Sequence, residues 1–144
     1  MLEIHSLAPH FSALDQNGKT RSLANYVGKY VVLFFYPKDN TFGCTIEACN
    51  LRDKYTDLKK KTIIIGVSAD SVDSYKMFAE KYHLPFILLA DTNKEIINSY
   101  NAESMFTKRI TYIIDPTGII IKVYPNVTPS THANEIVRDL ENLT

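Results

Sequence analysis

The chain has 144 residues, of which 45% are hydrophobic and 22% charged, a composition typical of a folded globular protein. This length suits one core, so we expect a single domain over residues 1–144. Sixteen basic residues balance sixteen acidic residues. No charge excess is left for a run of phosphates, which argues against nucleic-acid binding. The longest apolar run, Tyr30 to Tyr36, is too short to cross a bilayer, so we expect no membrane association.

The first predicted elements are a small hairpin and a buried strand. Residues 11–14 and 20–23 flank Gln16-Asn17-Gly18, which suits an N-terminal β-hairpin. The run from Tyr30 to Tyr36 is continuously apolar and stops at Pro37. Such a run is typical of a strand that is buried on both faces of a sheet.

Helices and strands then alternate along the chain. The sequence predicts a helix over residues 43–60, a strand over 62–68, a helix over 71–82, a strand over 86–89 and a helix over 92–100. Ser71 suits the N-cap of the second of these helices, and Pro85 lies just beyond its end.

The last predicted elements are a second hairpin and a helix. Residues 110–114 and 119–124 flank Asp115-Pro116-Thr117-Gly118, which has the residues of a type I turn. Thr128-Pro129 resembles a cap followed by proline at the first helical position, and predicts a helix to about Leu143. This order predicts an α/β fold with a central mixed sheet flanked by helices. It is compatible with a thioredoxin-like core that carries an N-terminal β-hairpin extension.

Cys44 falls in the first turn of the first predicted helix. Five side chains recur at spacings of three and four and define the apolar face of that helix: Cys44, Ala48, Leu51, Tyr55 and Leu58. Cys44 is therefore expected to point inward at a helix N-terminus, where unpaired N–H groups stabilise a thiolate. The alternative is that Cys44 is simply a small buried apolar side chain.

Cys49 is the second of the two cysteines in the chain. Five residues of helix separate two side chains by about 140° and about 7.5 Å, too far for a disulfide. Either the two cysteines never pair, or pairing requires the first turns to unwind. Neither their spacing nor the scattered histidines form a zinc pattern, so we expect no metal and no other cofactor. No secretory signal precedes them, and we expect a cytoplasmic location, where such pairs are usually redox-active.

Residues 35–49 resemble the active-site segment of the peroxiredoxins. Pro37, Thr41 and Cys44 match the Pro-x-x-x-Thr-x-x-Cys motif of that family. A second cysteine five residues later is similar to the peroxiredoxin Q branch, also called the bacterioferritin comigratory protein subfamily. The resemblance extends over nearly the whole chain, from Ala8-Pro9-His10-Phe11 to the segment that begins at Arg109.

The resemblance implies a thiol peroxidase that acts on hydrogen peroxide and alkyl hydroperoxides. Cys44 would be the peroxidatic cysteine, oxidised to a sulfenic acid, and Cys49 would resolve it as an intramolecular disulfide. Thioredoxin or a similar dithiol would reduce that disulfide. Thr41 would place its hydroxyl near the sulfur, Arg109 would stabilise the thiolate and the peroxide, and Pro37 would shield the sulfur from water. The resemblance also implies a monomer.

Alternatives remain for each of these roles. By position alone Thr41 is as well explained as a helix cap, and Arg109 as a solvated residue at a strand end. The whole chain would also suit a redox sensor or holdase that peroxide oxidises once, or a structural domain with two inert thiols. Two residues depart from the family pattern: Phe42 stands where the family usually has a small residue or proline, and His10 replaces the commoner aspartate.

Overall fold

The computed structural model describes residues 2–37, 42–55, 62–103 and 107–143, with the backbone alone at residues 42 and 143. The strands in these residues are β1 (Ser12–Leu14), β2 (Thr20–Ser22), β3 (Tyr30–Phe35), β4 (Thr62–Ser68), β5 (Ile87–Ala90), β6 (Thr111–Ile114) and β7 (Ile120–Tyr124). The α-helices are α1 (Phe42–Asp53), α2 (Val72–Tyr82), α3 (Glu95–Ser99) and α4 (His132–Leu143). A short 3-10 helix covers Leu23–Tyr26. None of these helices is long and apolar enough to cross a membrane.

The strands form one mixed sheet in the order β2-β1-β5-β4-β3-β6-β7. The three central strands, β3, β4 and β5, run parallel, as their helical crossovers require. The two hairpins add antiparallel strands at the two edges. The predicted α/β fold, with a central mixed sheet and an N-terminal hairpin extension, is confirmed.

The two faces of the sheet carry separate cores. Alternate side chains of β3 divide between them: Val32 and Phe34 face α1, α2 and α4, whereas Val31, Leu33 and Phe35 face α3 and the N-terminal segment. Burial on both faces is the reason that β3 reads as an unbroken apolar run.

Gly66 lies in the middle of β4, where two side chains approach its backbone. A Cβ at this position would lie 2.7 Å from Phe34 Cζ and 2.9 Å from Leu88 Cδ2. We expect Gly66→Ala to lower the free energy of unfolding by about 1–3 kcal/mol, because the neighbouring side chains must shift. Urea denaturation measures this loss. Phe34→Leu shortens the nearer side chain, so the double variant should lose less than the sum of the two single losses.

The first and the last α-helix each have a boundary that differs from the prediction. The helix predicted over residues 43–60 ends at Asp53 and Lys54 lies in a turn, while residues 56–60 fall outside the description. The last helix begins at His132 rather than after Thr128-Pro129. The Thr128 carbonyl accepts hydrogen bonds from the N–H groups of Thr131 and His132, which forms a separate turn ahead of α4.

Candidate active site

Cys44 lies in the first turn of α1, on the face that packs on the sheet. Cys44 and Ala48 are each 2% exposed and Leu51 is fully buried, so the predicted apolar face is confirmed for the described residues. β3 ends at Phe35, and α1 begins at Phe42. The sulfur is therefore held near the carboxyl end of a central strand, at the N-terminus of a helix.

Arg109 reaches this sulfur from another part of the sheet. The residue after it, Ile110, accepts a hydrogen bond from the Phe35 N–H at 2.8 Å, which holds the segment beside the end of β3. Arg109 Nη2 donates to Cys44 Sγ at 3.4 Å. The side chain is 20% exposed, and its guanidinium places a positive charge beside the sulfur.

Gly43 makes room for that guanidinium. A Cβ at this position would lie 3.1 Å from Arg109 Nη2 and 3.7 Å from Pro129 Cγ. A contact of 3.1 Å is tighter than ordinary van der Waals packing, so a side chain here would push Arg109 away. The residue before Cys44 thus permits the close approach between helix and arginine.

Glu47 is a further member of the site. Its carboxylate is 0% exposed, and Arg109 Nη1 donates to Oε1 at 2.7 Å. Burial raises the pKa of Glu47 to about 7, although the hydrogen bond and charge of Arg109 act to lower it. Burial acts to lower the pKa of Arg109, but the hydrogen bond that Arg109 donates to Glu47 and the charges of Cys44 and Glu47 raise it overall. Sequence reasoning did not assign Glu47, although its position three residues after Cys44 places both on one side of α1.

Cys49 lies half-buried further along α1, and both cysteines are free thiols. Burial raises the pKa of Cys49, with a lowering contribution from Arg52 and a raising one from Asp53. The residues that follow Cys49 are fixed on both sides. Asn50 Nδ2 donates to the carbonyls of Pro129 and Ser130 at 3.2 Å each, and Arg52 Nη1 donates to the Tyr82 carbonyl at 2.7 Å.

The other predicted site residues are only partly covered by the structure. Thr41 lies outside the described residues, as does the side chain of Phe42. Pro37 is half-buried directly after the end of β3 and Tyr36. His10 is exposed and lines a groove with Glu95, away from the residues that surround Cys44. The described residues contain no group of three His, Cys, Asp or Glu side chains that would hold a metal ion.

The chain matches known proteins over nearly its whole length. The AhpC/TSA family model matches residues 4–123. Peroxiredoxin Q of Triticum aestivum, a chloroplastic protein, is 41% identical over 96% of this chain, which spans 66% of that protein. Peroxiredoxin Bcp of Bacillus subtilis is 37% identical over 99% of this chain and 98% of its own length.

A solved structure gives the same picture of the fold. The bacterioferritin comigratory protein of Xanthomonas campestris, described together with its alkyl peroxide reduction activity, is 25% identical, with a TM-score of 0.88. That match covers 92% of this chain and 91% of the Xanthomonas chain. The predicted thioredoxin-like architecture is therefore confirmed.

Proposed function

The chain belongs to the AhpC/TSA family, and from this membership and its likeness to peroxiredoxin Q and Bcp we propose that it is a thiol peroxidase that uses Cys44. The single observation that carries the proposal is the hydrogen bond from Arg109 Nη2 to Cys44 Sγ. It places a cation on the sulfur of a cysteine at a helix N-terminus. Both features favour the thiolate, which is the form of cysteine that attacks peroxides.

The first step follows from this geometry. The Cys44 thiolate attacks the terminal oxygen of a hydroperoxide, a sulfur–oxygen bond forms and the oxygen–oxygen bond breaks. The sulfur loses two electrons and becomes a sulfenic acid, and the departing oxygen takes a proton and leaves as water or an alcohol. Arg109 stabilises the negative charge as it moves from the sulfur to the departing oxygen. Thr41 and Pro37 keep the roles of positioning and shielding that the family resemblance implies.

Hydrogen peroxide and alkyl hydroperoxides are the proposed substrates. The likeness to the Xanthomonas campestris protein, whose described activity is alkyl peroxide reduction, supports the second class. The two classes differ in the group carried by the departing oxygen, whereas the sulfur attacks the other, terminal oxygen. Both classes therefore suit the same site.

Cys49 is the proposed resolving residue. Its thiol attacks the sulfenic acid of Cys44, a disulfide forms and water leaves. A thioredoxin-type dithiol then attacks this disulfide and returns both cysteines to thiols, which makes the cycle catalytic. The reduction requires a compartment in which dithiols are kept reduced. We propose the cytoplasm and a monomeric protein, although plant relatives such as that of Triticum aestivum are chloroplastic.

A coupled assay tests the proposed function. The protein is mixed with thioredoxin, thioredoxin reductase, NADPH and either hydrogen peroxide or an alkyl hydroperoxide, and NADPH consumption is followed. We expect many turnovers per protein molecule. Consumption that stops after one equivalent of peroxide would instead identify the redox sensor or holdase, and an unreactive Cys44 would identify a structural domain.

Replacement of Arg109 by methionine tests the role of the cation. We expect Arg109→Met to slow the oxidation of Cys44 by peroxide at neutral pH by about 100-fold, because both the thiolate and the departing oxygen lose a charged donor. Rapid mixing in the Cys49→Ser background measures this single step. Arg138→Met removes an exposed arginine from α4 and should leave the rate unchanged. An unchanged rate in Arg109→Met would return that residue to a structural role.

A further inference from the structure

Arg109 serves two acidic side chains at once. Its Nη2 donates to Cys44 Sγ at 3.4 Å, and its Nη1 donates to Glu47 Oε1 at 2.7 Å. The thiol and the carboxyl are 2% and 0% exposed. One cation, the Arg109 guanidinium, therefore contacts two groups that each form an anion. Because like charges in a shared site disfavour each other, the ionisation of one raises the cost of ionising the other.

The second oxygen of Glu47 shows that the carboxyl is not a fully satisfied ion. Glu47 Oε2 is buried and has no hydrogen-bond partner in the part of the chain that the structure describes. An ionised carboxylate accepts hydrogen bonds on both oxygens, and a buried charge without them is costly. A proton on this carboxyl removes that cost. In agreement, burial raises the pKa of Glu47 to about 7.

In the described part of the neighbouring elements, no other charged group contacts Glu47. In α4, which packs on α1, burial lowers the pKa of His132 to about 4, so its ring is neutral at pH 7. Asp139 of α4 accepts a hydrogen bond from the Tyr124 hydroxyl, and Glu135 Oε1 lies 3.9 Å from Nδ1 of His132. On the sheet side, Tyr36 and Tyr75 belong to the same core cluster as Cys44. Among the described residues, Arg109 is the charged group that contacts Glu47.

We propose that Cys44 and Glu47 share one proton while both are hydrogen-bonded to the positively charged Arg109. Glu47 holds this proton when Cys44 is a thiolate. The proposal rests on the proposed function of Cys44. It makes Glu47 a positioning residue, which acts by taking up the proton that Cys44 loses. In both forms the three side chains carry one positive and one negative charge. The thiolate therefore forms in the protein interior with no change in the net charge of the site.

Reaction with peroxide then has a defined proton balance. The thiolate of Cys44 forms its bond to the terminal oxygen, the oxygen–oxygen bond breaks and an alkoxide leaves. The thiolate charge has disappeared, so Glu47 is the acidic side chain among the described residues that can still pair with Arg109, and it gives up its proton. That proton balances the departure of the alkoxide as an alcohol.

The pH dependence of Cys44 alkylation by iodoacetamide tests the sharing, with Cys49→Ser as the background so that Cys44 is the one thiol. We expect the rate of the Glu47 protein to rise with pH in two steps. Glu47→Gln keeps an oxygen that accepts from Arg109 but removes the competing anion. The rate should then rise in a single step, with a midpoint at least about one pH unit lower. Glu80→Gln, an exposed change on α2, should reproduce the two-step profile.

The number of steps separates sharing from a structural role. A Glu47 that stayed ionised and merely held Arg109 in place would give a single step before the substitution as well as after it. A single step in the Glu47 protein, or a midpoint that Glu47→Gln leaves unchanged or raises, would overturn the proposal. Peroxide turnover is not needed for this measurement. A failure of the proposed peroxidase function would appear in the coupled assay alone and is therefore distinguishable.

A second measurement uses the protein with Glu47 intact and does not depend on the folding of Glu47→Gln. Infrared difference spectra are recorded at neutral pH before and after alkylation of Cys44. Alkylation removes the thiolate, so Glu47 should lose its proton and the C=O band of a protonated carboxyl should disappear. The same band should be absent throughout in Glu47→Gln. A spectrum without that loss would show that Glu47 holds no proton to share.

Discussion

Cys44→Ser is expected to abolish peroxide reduction completely. A serine hydroxyl at the same place is not ionised at neutral pH, even beside Arg109, and oxygen cannot be oxidised as sulfur is. The coupled assay should give the rate of the buffer alone, both with hydrogen peroxide and with an alkyl hydroperoxide. Since Cys44 is a small side chain with an isosteric replacement, the variant should keep its fold, which circular dichroism will check.

Cys49→Ser should separate oxidation from turnover. Cys44 and Arg109 remain intact in this variant, so one rapid oxidation by one equivalent of peroxide is expected. The sulfenic acid then has no internal thiol to attack it, and turnover supported by thioredoxin should be lost. Normal turnover of Cys49→Ser with thioredoxin would contradict the resolving role and would mean that the reductant attacks the sulfenic acid itself.

The strands were predictable from the sequence where an apolar run coincides with burial on both faces of the sheet. β3 and β4 are buried on both faces, and their apolar residues define both strands to within one residue. The boundaries that differ depend on single polar contacts. α3 starts at Glu95 rather than at residue 92, because the Asp91 carboxylate bonds the N–H groups of Ile96 and Ile97 and Lys94 adopts a left-handed conformation.

The candidate site was predictable in part, for a similar reason. The inward direction of Cys44 follows from helical periodicity, which is local information. Arg109 is 65 residues away from Cys44 in the chain, and only the family resemblance connected the two. Glu47 was interpreted as an acidic residue in the first turn that favours the helix dipole, and it was left outside the predicted site. Its burial follows from the tertiary contact with Arg109, which no local pattern encodes.

A continuous α1 helix is incompatible with a Cys44–Cys49 disulfide, so oxidation is expected to change the structure of the helix. With α1 continuous from Phe42 to Asp53, five helical residues hold the two sulfurs on different sides of the helix. A disulfide needs Cα atoms within about 7 Å and side chains that face each other. Oxidation must therefore unwind the start of the helix. This unwinding removes Cys44 from the apolar core and from its contact with Arg109.

The contacts after Cys49 set the limit of this unwinding. Asn50 is bonded to the turn before α4, Arg52 is bonded to the end of α2, and Leu51 between them is fully buried. These contacts are independent of both cysteines, so the second half of α1 stays in place. Cys49 thus lies at the boundary, and Cys44 must make most of the movement.

We therefore expect the oxidised protein to lose helix content and to exchange its amide hydrogens faster over residues 42–49, with much smaller changes from Asn50 to Asp53. Circular dichroism and hydrogen exchange on the reduced and oxidised forms measure the two effects, and Cys49→Ser after alkylation of Cys44 provides a control that cannot form the disulfide.

Each backbone hydrogen bond lost costs about 1 kcal/mol net, and the burial of Cys44 and Ala48 is lost as well. The disulfide bears this cost, which makes it more readily reduced than a relaxed structural disulfide, as repeated reduction by a dithiol requires. A structure of the disulfide form in which α1 still runs unbroken from Phe42 would contradict the argument, because the helix and the bond cannot coexist.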